Sequence, residues 1–92
     1  MTMARAELII RGRVQGVFYR QSTRETANGL GLTGWTRNNP DGSVAAVFEG
    51  QKQQIDKAIA WCRQGPPAAR VCKVDVDWQD FRNEFSGFHI LS

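Results

Sequence analysis

Metal and redox chemistry have little to work with in this chain. Its 92 residues include one histidine, His89, and two cysteines, Cys62 and Cys72. A metal site needs several convergent ligands, so no metal is expected, and His89 is expected on a strand surface near the C-terminal end. No cofactor is expected either. The two thiols fit neither zinc nor thioredoxin spacing, and one conceivable bridge is not a disulfide framework. Both are expected as buried structural thiols, since cysteine is among the most buried residue types. Long apolar runs are also missing, which excludes a helical membrane span. The opening Met1-Thr2-Met3-Ala4-Arg5-Ala6-Glu7 has no apolar stretch before its first charges. No secretory leader is therefore read, and the cytoplasm is the expected location. Repeats, linkers and low-complexity segments are absent.

What is present suits one small folded domain, residues 1–92. Apolar residues make up 41%, an ordinary globular share. The net charge is +3, from 12 Lys+Arg against 9 Asp+Glu. That mild excess suits an anionic ligand and nucleic acid equally. Among the N-terminal arginines Arg5, Arg11, Arg13, Arg20 and Arg24, most are expected to be solvated.

Hydrophobic spacing predicts the elements. Ala6, Leu8, Ile10 and Val14 face one way while Glu7, Arg11 and Arg13 face the other, a strand with one buried side. Gly16 breaks the pattern with a tight turn. Residues 20–28 predict a helix with a narrow Tyr19, Thr23, Ala27, Leu30 stripe, stopped by Gly29 and Gly31. Residues 32–37 and 43–49 predict two strands paired through the turn-rich Asn38-Asn39-Pro40-Asp41-Gly42. Ile55, Ala58, Ile59 and Cys62 give one buried face of a helix over 51–64, ended by Gly65-Pro66-Pro67. Along 71–78, Cys72, Val74, Val76 and Trp78 alternate with Lys73, Asp75 and Asp77 and predict a fourth strand. A polar connection over 79–84 leads to a last short strand at Phe88 and Ile90. The order β-α-β-β-α-β plus a short C-terminal strand is the split βαβ, or ferredoxin-like, α+β sandwich: an antiparallel sheet with two helices on one face.

Two stretches are suited to an anion. Gly12-Arg13-Val14-Gln15-Gly16-Val17-Phe18-Tyr19-Arg20 joins a buried strand to a helix. A sharp turn there can aim several backbone N–H groups into one concavity beside the helix N-terminus. The helix dipole disfavours a cation at that end, so Arg20 is better explained if an anion offsets it. Its planar guanidinium can clamp two phosphate oxygens. The plain alternative is a strand–helix turn carrying a surface arginine. The glycine spacing is neither a P-loop nor a dinucleotide fingerprint. The second stretch runs from Gly34-Trp35-Thr36-Arg37-Asn38 through Gly42 and Val44 to Gly50. The Asn38 amide donates and accepts together, which suits holding a water, although asparagine is also a common turn residue. Asn39 is assigned the turn role alone.

Both stretches resemble the two signatures of the acylphosphatase family. Gly12 to Arg20 is similar to Gly-x-Val-Gln-Gly-Val-x-Phe/Tyr-Arg without a gap. Gly34 to Gly50 is similar to Gly-aromatic-x-basic-Asn-x3-Gly-x-Val-x5-Gly. The length matches the stand-alone form rather than the form fused to a larger hydrogenase-maturation protein. The resemblance implies a metal-independent, monomeric hydrolase of acyl phosphates that releases a carboxylate and inorganic phosphate. It implies phosphate binding by the loop Gln15, Gly16, Val17, Phe18 and Tyr19 together with Arg20, and a water positioned by Asn38. Two departures stand out. Thr36 occupies a position usually small and apolar, and the chain ends Phe88-His89-Ile90-Leu91-Ser92 where relatives often have an arginine and an aromatic residue. The second bears on how firmly the last strand is anchored.

Acyl phosphates suit such a sparse site, because a carboxylate leaves as a stable anion without a general acid. The alternatives are a ferredoxin-like nucleic-acid-binding module, a metal chaperone and a catalytically idle relative. The first would display stacking aromatics on central strands, where this chain offers Leu8, Ile9 and Ile10. The second would need paired cysteines in the first loop, which has none. The third is disfavoured by the intact Arg20 and Asn38. No membrane or nucleic-acid partner is expected.

Overall fold

The computed structural model describes residues 2–91. Met1 and Ser92, the ends of the stretches read for a leader and for the C-terminal pattern, lie outside them. The elements follow as β1 (Met3–Arg13), α1 (Tyr19–Gly29), β2 (Thr33–Asn38), β3 (Val44–Gln51), α2 (Lys52–Gln64), β4 (Arg70–Gln79) and β5 (Phe88–Ile90). This is the order the hydrophobic spacing predicts. The strands form one sheet in the order β4-β1-β3-β2-β5.

β1 is antiparallel to β3 and β4, and β2 is antiparallel to β3. The expectation of a wholly antiparallel sheet needs one correction. β5 lies parallel to β2, with Gly34 opposite Phe88 and Thr36 opposite Ile90, so the sheet is mixed. The cause is topological. The chain leaves β4 at one edge, crosses the sheet near the N-terminal ends of β1 and β2, and enters the opposite edge at that same end. It must then run back alongside β2. A consequence follows for function: β1, β2 and β5 all point the same way. Their C-terminal ends, at Arg13, Asn38 and Ile90, meet at one end of the sheet.

The helices cover one face. α2 buries Ile55, Ala58, Ile59 and Cys62, as its spacing predicts, against a sheet face that includes Ala6, Leu8 and Ile10. α1 buries Tyr19, Thr23 and Ala27, with Leu30 packed against the same core. It ends where Leu32 N–H bonds to Ala27 C=O and Gly31 N–H to Asn28 C=O, with Gly31 left-handed at φ 69°. That pair of bonds satisfies the last carbonyls of the helix, and glycine takes the conformation without a Cβ clash.

Cys62 is buried, but Cys72 is exposed, against the expectation that both are structural. The β1–β4 register shifts from Arg11↔Lys73 to Gly12↔Val71, so Cys72 has no partner of its own. One extra residue in a strand reverses its inward alternation. Val71 turns toward the core and Cys72 turns out. The close approach needs Gly12, since a Cβ there would lie 2.1 Å from the Arg70 carbonyl oxygen.

Arg5 also departs from the solvated arginines, at only 6% exposed. Its Nε donates to Gln79 Oε1 at 2.9 Å and its Nη1 to Glu84 Oε1 at 2.6 Å. Nη1 also lies 3.6 Å from Glu49 Oε2, and the Glu49 side chain is fully buried. Glu49 in turn accepts the backbone N–H groups of Arg82 and Glu84. The crossing segment before β5 is thus tied to β1 and β3 through the side chains of Arg5 and Glu49. No helix among the described residues is long and apolar enough to cross a membrane.

Candidate active site

The loop after β1 is anchored by two valines and shaped by two left-handed residues. Val14 and Val17 are buried in the core. Gly16 has φ 73° and Phe18 has φ 63°, while Val17 between them is not left-handed. Alternating backbone hand turns successive N–H groups toward a common point. Among the described residues, the N–H groups of Gln15, Gly16, Val17 and Phe18 donate to no protein acceptor. α1 starts immediately afterwards with no acidic residue in its first turn. The free N–H groups and dipole of that helix end favour an anion beside the loop.

The side chains of this loop do other work. Gln15 Nε2 donates to Asn39 C=O at 2.8 Å and to Ser43 C=O at 2.9 Å, tying the loop to the β2–β3 hairpin. The Tyr19 hydroxyl donates to Cys62 C=O at 2.7 Å, and its ring packs against Trp61 at 5.4 Å. Burial and the neighbouring Cys62 push the Tyr19 hydroxyl well above the ordinary phenol range. It stays neutral and engaged, so it is no acid or base for a reaction. Burial likewise pushes the Cys62 thiol up to about 12. Of the five loop residues, Phe18 alone sends a large side chain into solvent.

A cavity of about 350 Å3 opens beside the loop, lined by Gly16, Phe18 and Tyr19, by Arg20 and Gln21 of α1, and by Asn38 at the end of β2. Val14 and Ile90 complete it, while Gln15 and Val17 are not among its lining residues. Arg20 has no acidic partner among the described residues, and its Nη1 donates to Leu91 C=O at 3.3 Å. Asn38 Oδ1 is buried without a hydrogen-bond partner. An unpaired buried acceptor of this kind costs roughly 1–3 kcal/mol unless a water or ligand donor reaches it. The residues that carry this cation and this unpaired acceptor thus line one cavity.

The turn beside it is internally satisfied. Asp41 Oδ1 accepts from Ser43 N–H and Oγ, and its Oδ2 lies 3.1 Å from Arg11 Nη1. These Ser43 bonds, with the Arg11 guanidinium, hold the Asp41 carboxyl at about 2. Asn39 bonds Ser43 Oγ through its side chain, consistent with a turn role. Thr36, the departure in the second signature, is buried with its hydroxyl donating to Ala45 C=O. The last strand is held by Leu91 N–H bonded to Thr36 C=O at 2.9 Å.

A second cavity of about 290 Å3 lies at the start of α2, lined by Thr2, Gln51, Lys52, Gln53 and Asp56. Its one cation, Lys52, is 3.4 Å from Asp56 and 4.6 Å from the Trp78 ring centre, so its charge is already spent locally. In the loop cavity, by contrast, Arg20 has no acidic partner among the described residues. The sequence reading names Gly16, Phe18, Tyr19, Arg20 and Asn38 among the residues that line the loop cavity, but not Ile90. That residue reaches the cavity only through the long-range pairing of β5, for which no local signal exists.

The acylphosphatase family model matches residues 6–90, a span holding both signature stretches. This chain belongs to the acylphosphatase family. The acylphosphatase of Pelotomaculum thermopropionicum is 53% identical over 90 residues, covering 98% of each chain. That of Acaryochloris marina is 58% identical over 83 residues, covering 90% of this chain and 88% of the other. A solved acylphosphatase from Coxiella burnetii matches with a TM-score of 0.92 at 34% identity, over 97% of this chain and 93% of that one. The family is one of hydrolases acting on acyl phosphates, and this chain is an enzyme of that kind.

Proposed function

We propose that the enzyme hydrolyses the carboxyl–phosphate bond without a metal ion, by attack of a water held at Asn38 on a phosphoryl group held by the 15–19 loop and Arg20. The observation that carries this reading is the shared cavity: Gly16 and Phe18, whose backbone N–H groups have no protein acceptor, line it together with Arg20, which has no acidic partner among the described residues, and Asn38, whose buried Oδ1 has no hydrogen-bond partner. Phosphoryl oxygens accept from the loop N–H groups and from the Arg20 guanidinium. Asn38 Oδ1 accepts a hydrogen bond from the water, turning a lone pair toward phosphorus. The new P–O bond forms in line as the bond to the acyl oxygen breaks, and the carboxylate leaves with the electron pair. The proton shed by the water passes to a phosphate oxygen of the substrate.

Such a reaction needs positioning and charge stabilisation more than proton transfer. That fits a site whose nearby titratable groups are committed elsewhere: Tyr19 to Cys62, and Asp41 to Ser43 and Arg11. Among the described residues no group of three metal-ligating side chains converges, which favours the metal-free form of the reading. A nucleic-acid module is disfavoured because the helix-free face of β1 and β3 carries Arg5, Glu7, Ile9, Ala45, Val47 and Glu49 rather than stacking aromatics. The same reading takes the chain as one domain working as a monomer in the cytoplasm, a compartment that suits its two free thiols.

The test is hydrolysis of benzoyl phosphate with excess chelator, with and without added inorganic phosphate. Full activity in chelator and competitive inhibition by phosphate are expected. Activity lost in chelator and restored by one divalent ion would overturn the metal-free mechanism. Phosphate that leaves the apparent KM unchanged would overturn phosphoryl recognition by the loop.

A further inference from the structure

The loop backbone needs a left-handed residue at position 18, a conformation glycine takes freely and a bulky side chain resists. The chain places phenylalanine there, at φ 63°, with the side chain 76% exposed. Packing does not compensate the strain, because the ring is not buried. No turn or cap requires the ring either, since Phe18 makes no side-chain cap. Strained residues of this kind collect at binding sites, where the side chain has a use the isolated fold lacks. Phe18 lines the same cavity as Arg20 and Asn38, and Ile90 lines it too. The cavity therefore joins a polar part, suited to a phosphoryl group, to an apolar rim.

We propose that Phe18 and Ile90 form the acyl-group subsite, selecting acyl phosphates whose acyl part is aromatic or extended and apolar over those with a small acyl part. This rests on the reading of the cavity as the phosphoryl site. A phosphoryl group seated against the loop leaves its acyl substituent to project across the lining. A flat ring there can stack on Phe18 and remove apolar surface from water, while an acetyl group is too small to do so. The contact persists as the carboxylate departs, so it acts on kcat/KM.

The experiment measures kcat/KM for benzoyl phosphate and acetyl phosphate on the parent enzyme, Phe18→Gly, Phe18→Leu and Ile90→Ala, with melting temperatures for each. Intrinsic reactivity of the two anhydrides is the same for every variant, and any general disturbance of the loop falls on both substrates. Both cancel when the benzoyl-to-acetyl ratio is compared between proteins. The parent is expected to favour benzoyl phosphate, and Phe18→Gly to lower the ratio roughly tenfold, as for loss of a modest apolar contact. Phe18→Leu should keep most of the preference, and Ile90→Ala should lower it less than Phe18→Gly. Phe18→Gly should also melt higher by roughly 4–8 °C, because relief of the left-handed strain stabilises the fold while selectivity falls. A ratio within twofold of the parent in Phe18→Gly overturns the subsite, as does a parent that does not favour benzoyl phosphate. A parent that hydrolyses neither substrate overturns the phosphoryl-site reading instead.

Discussion

Arg20 carries a charge its local fold does not require. It stands in the first turn of α1, where the dipole opposes it, and its protein partner is a backbone carbonyl at 3.3 Å, not a carboxylate. In the proposed mechanism a two-pronged contact to phosphoryl oxygens accounts for it. Arg20→Lys keeps the charge but loses the fork, since an ammonium is a point charge. The variant should lose on the order of a hundredfold in kcat/KM, the scale seen when a preorganised donor is removed from a reacting centre. Phosphate inhibition should weaken with it. A lysine variant equal to the parent in both measurements would remove Arg20 from the clamp. The sequence singles out Arg20 and Asn38 because each sits at a fixed offset within a glycine-bearing stretch. Phe18 is legible only as a loop member: its strain and exposure depend on the hand of the turn, which spacing does not report. Cys72 is misread because alternation assumes an unbroken ladder, and the bulge opposite Gly12 inverts it.

At the scale of elements, the helices and first four strands follow from short-range periodicity, and the sequence predicts them well. The crossing segment between β4 and β5 does not. It is tied to Glu49 and Arg5, residues 30 or more positions away in the chain, and short-range periodicity does not report contacts at that separation. Glu49 accepts from Arg82 N–H at 2.7 Å and Glu84 N–H at 3.3 Å, beside Arg5 Nη1 at 3.6 Å. Glu49→Ala would leave Arg5 with only the half-exposed Glu84 as an acidic partner and strip two backbone donors of their acceptor. The expected loss is about 3 kcal/mol, by analogy with other broken buried pairs. For a domain this size that is roughly 12–24 °C in melting temperature. Urea or thermal unfolding checks it. A change below about 0.5 kcal/mol, the range of an ordinary surface substitution, would mean that the crossing segment is held by something else.

For the whole molecule, the site exists because three strands of one direction end together. β1 delivers the loop, β2 delivers Asn38 and β5 delivers Ile90, although residues 14 and 90 lie at opposite ends of the chain. Sequence spacing reveals the first two contributors, because each is adjacent to its own motif. The third follows from the parallel entry of β5 at the far edge, a property of the closed sheet alone. In the proposed mechanism this convergence separates two tasks: the loop and Arg20 bind the phosphoryl group, and Asn38 places the water. Asn38→Ala tests that separation most directly, with turnover, the phosphate inhibition constant and melting temperature measured together and Asn39→Ala alongside. The fold should hold, since Asn38 makes no protein bond through Oδ1 and the turn keeps Asp41 and Ser43. Turnover should fall roughly a hundredfold or more with the phosphate inhibition constant little changed, while Asn39→Ala costs far less turnover. Near-full turnover in folded Asn38→Ala, or turnover lost only in step with unfolding, would remove the water-positioning role from Asn38.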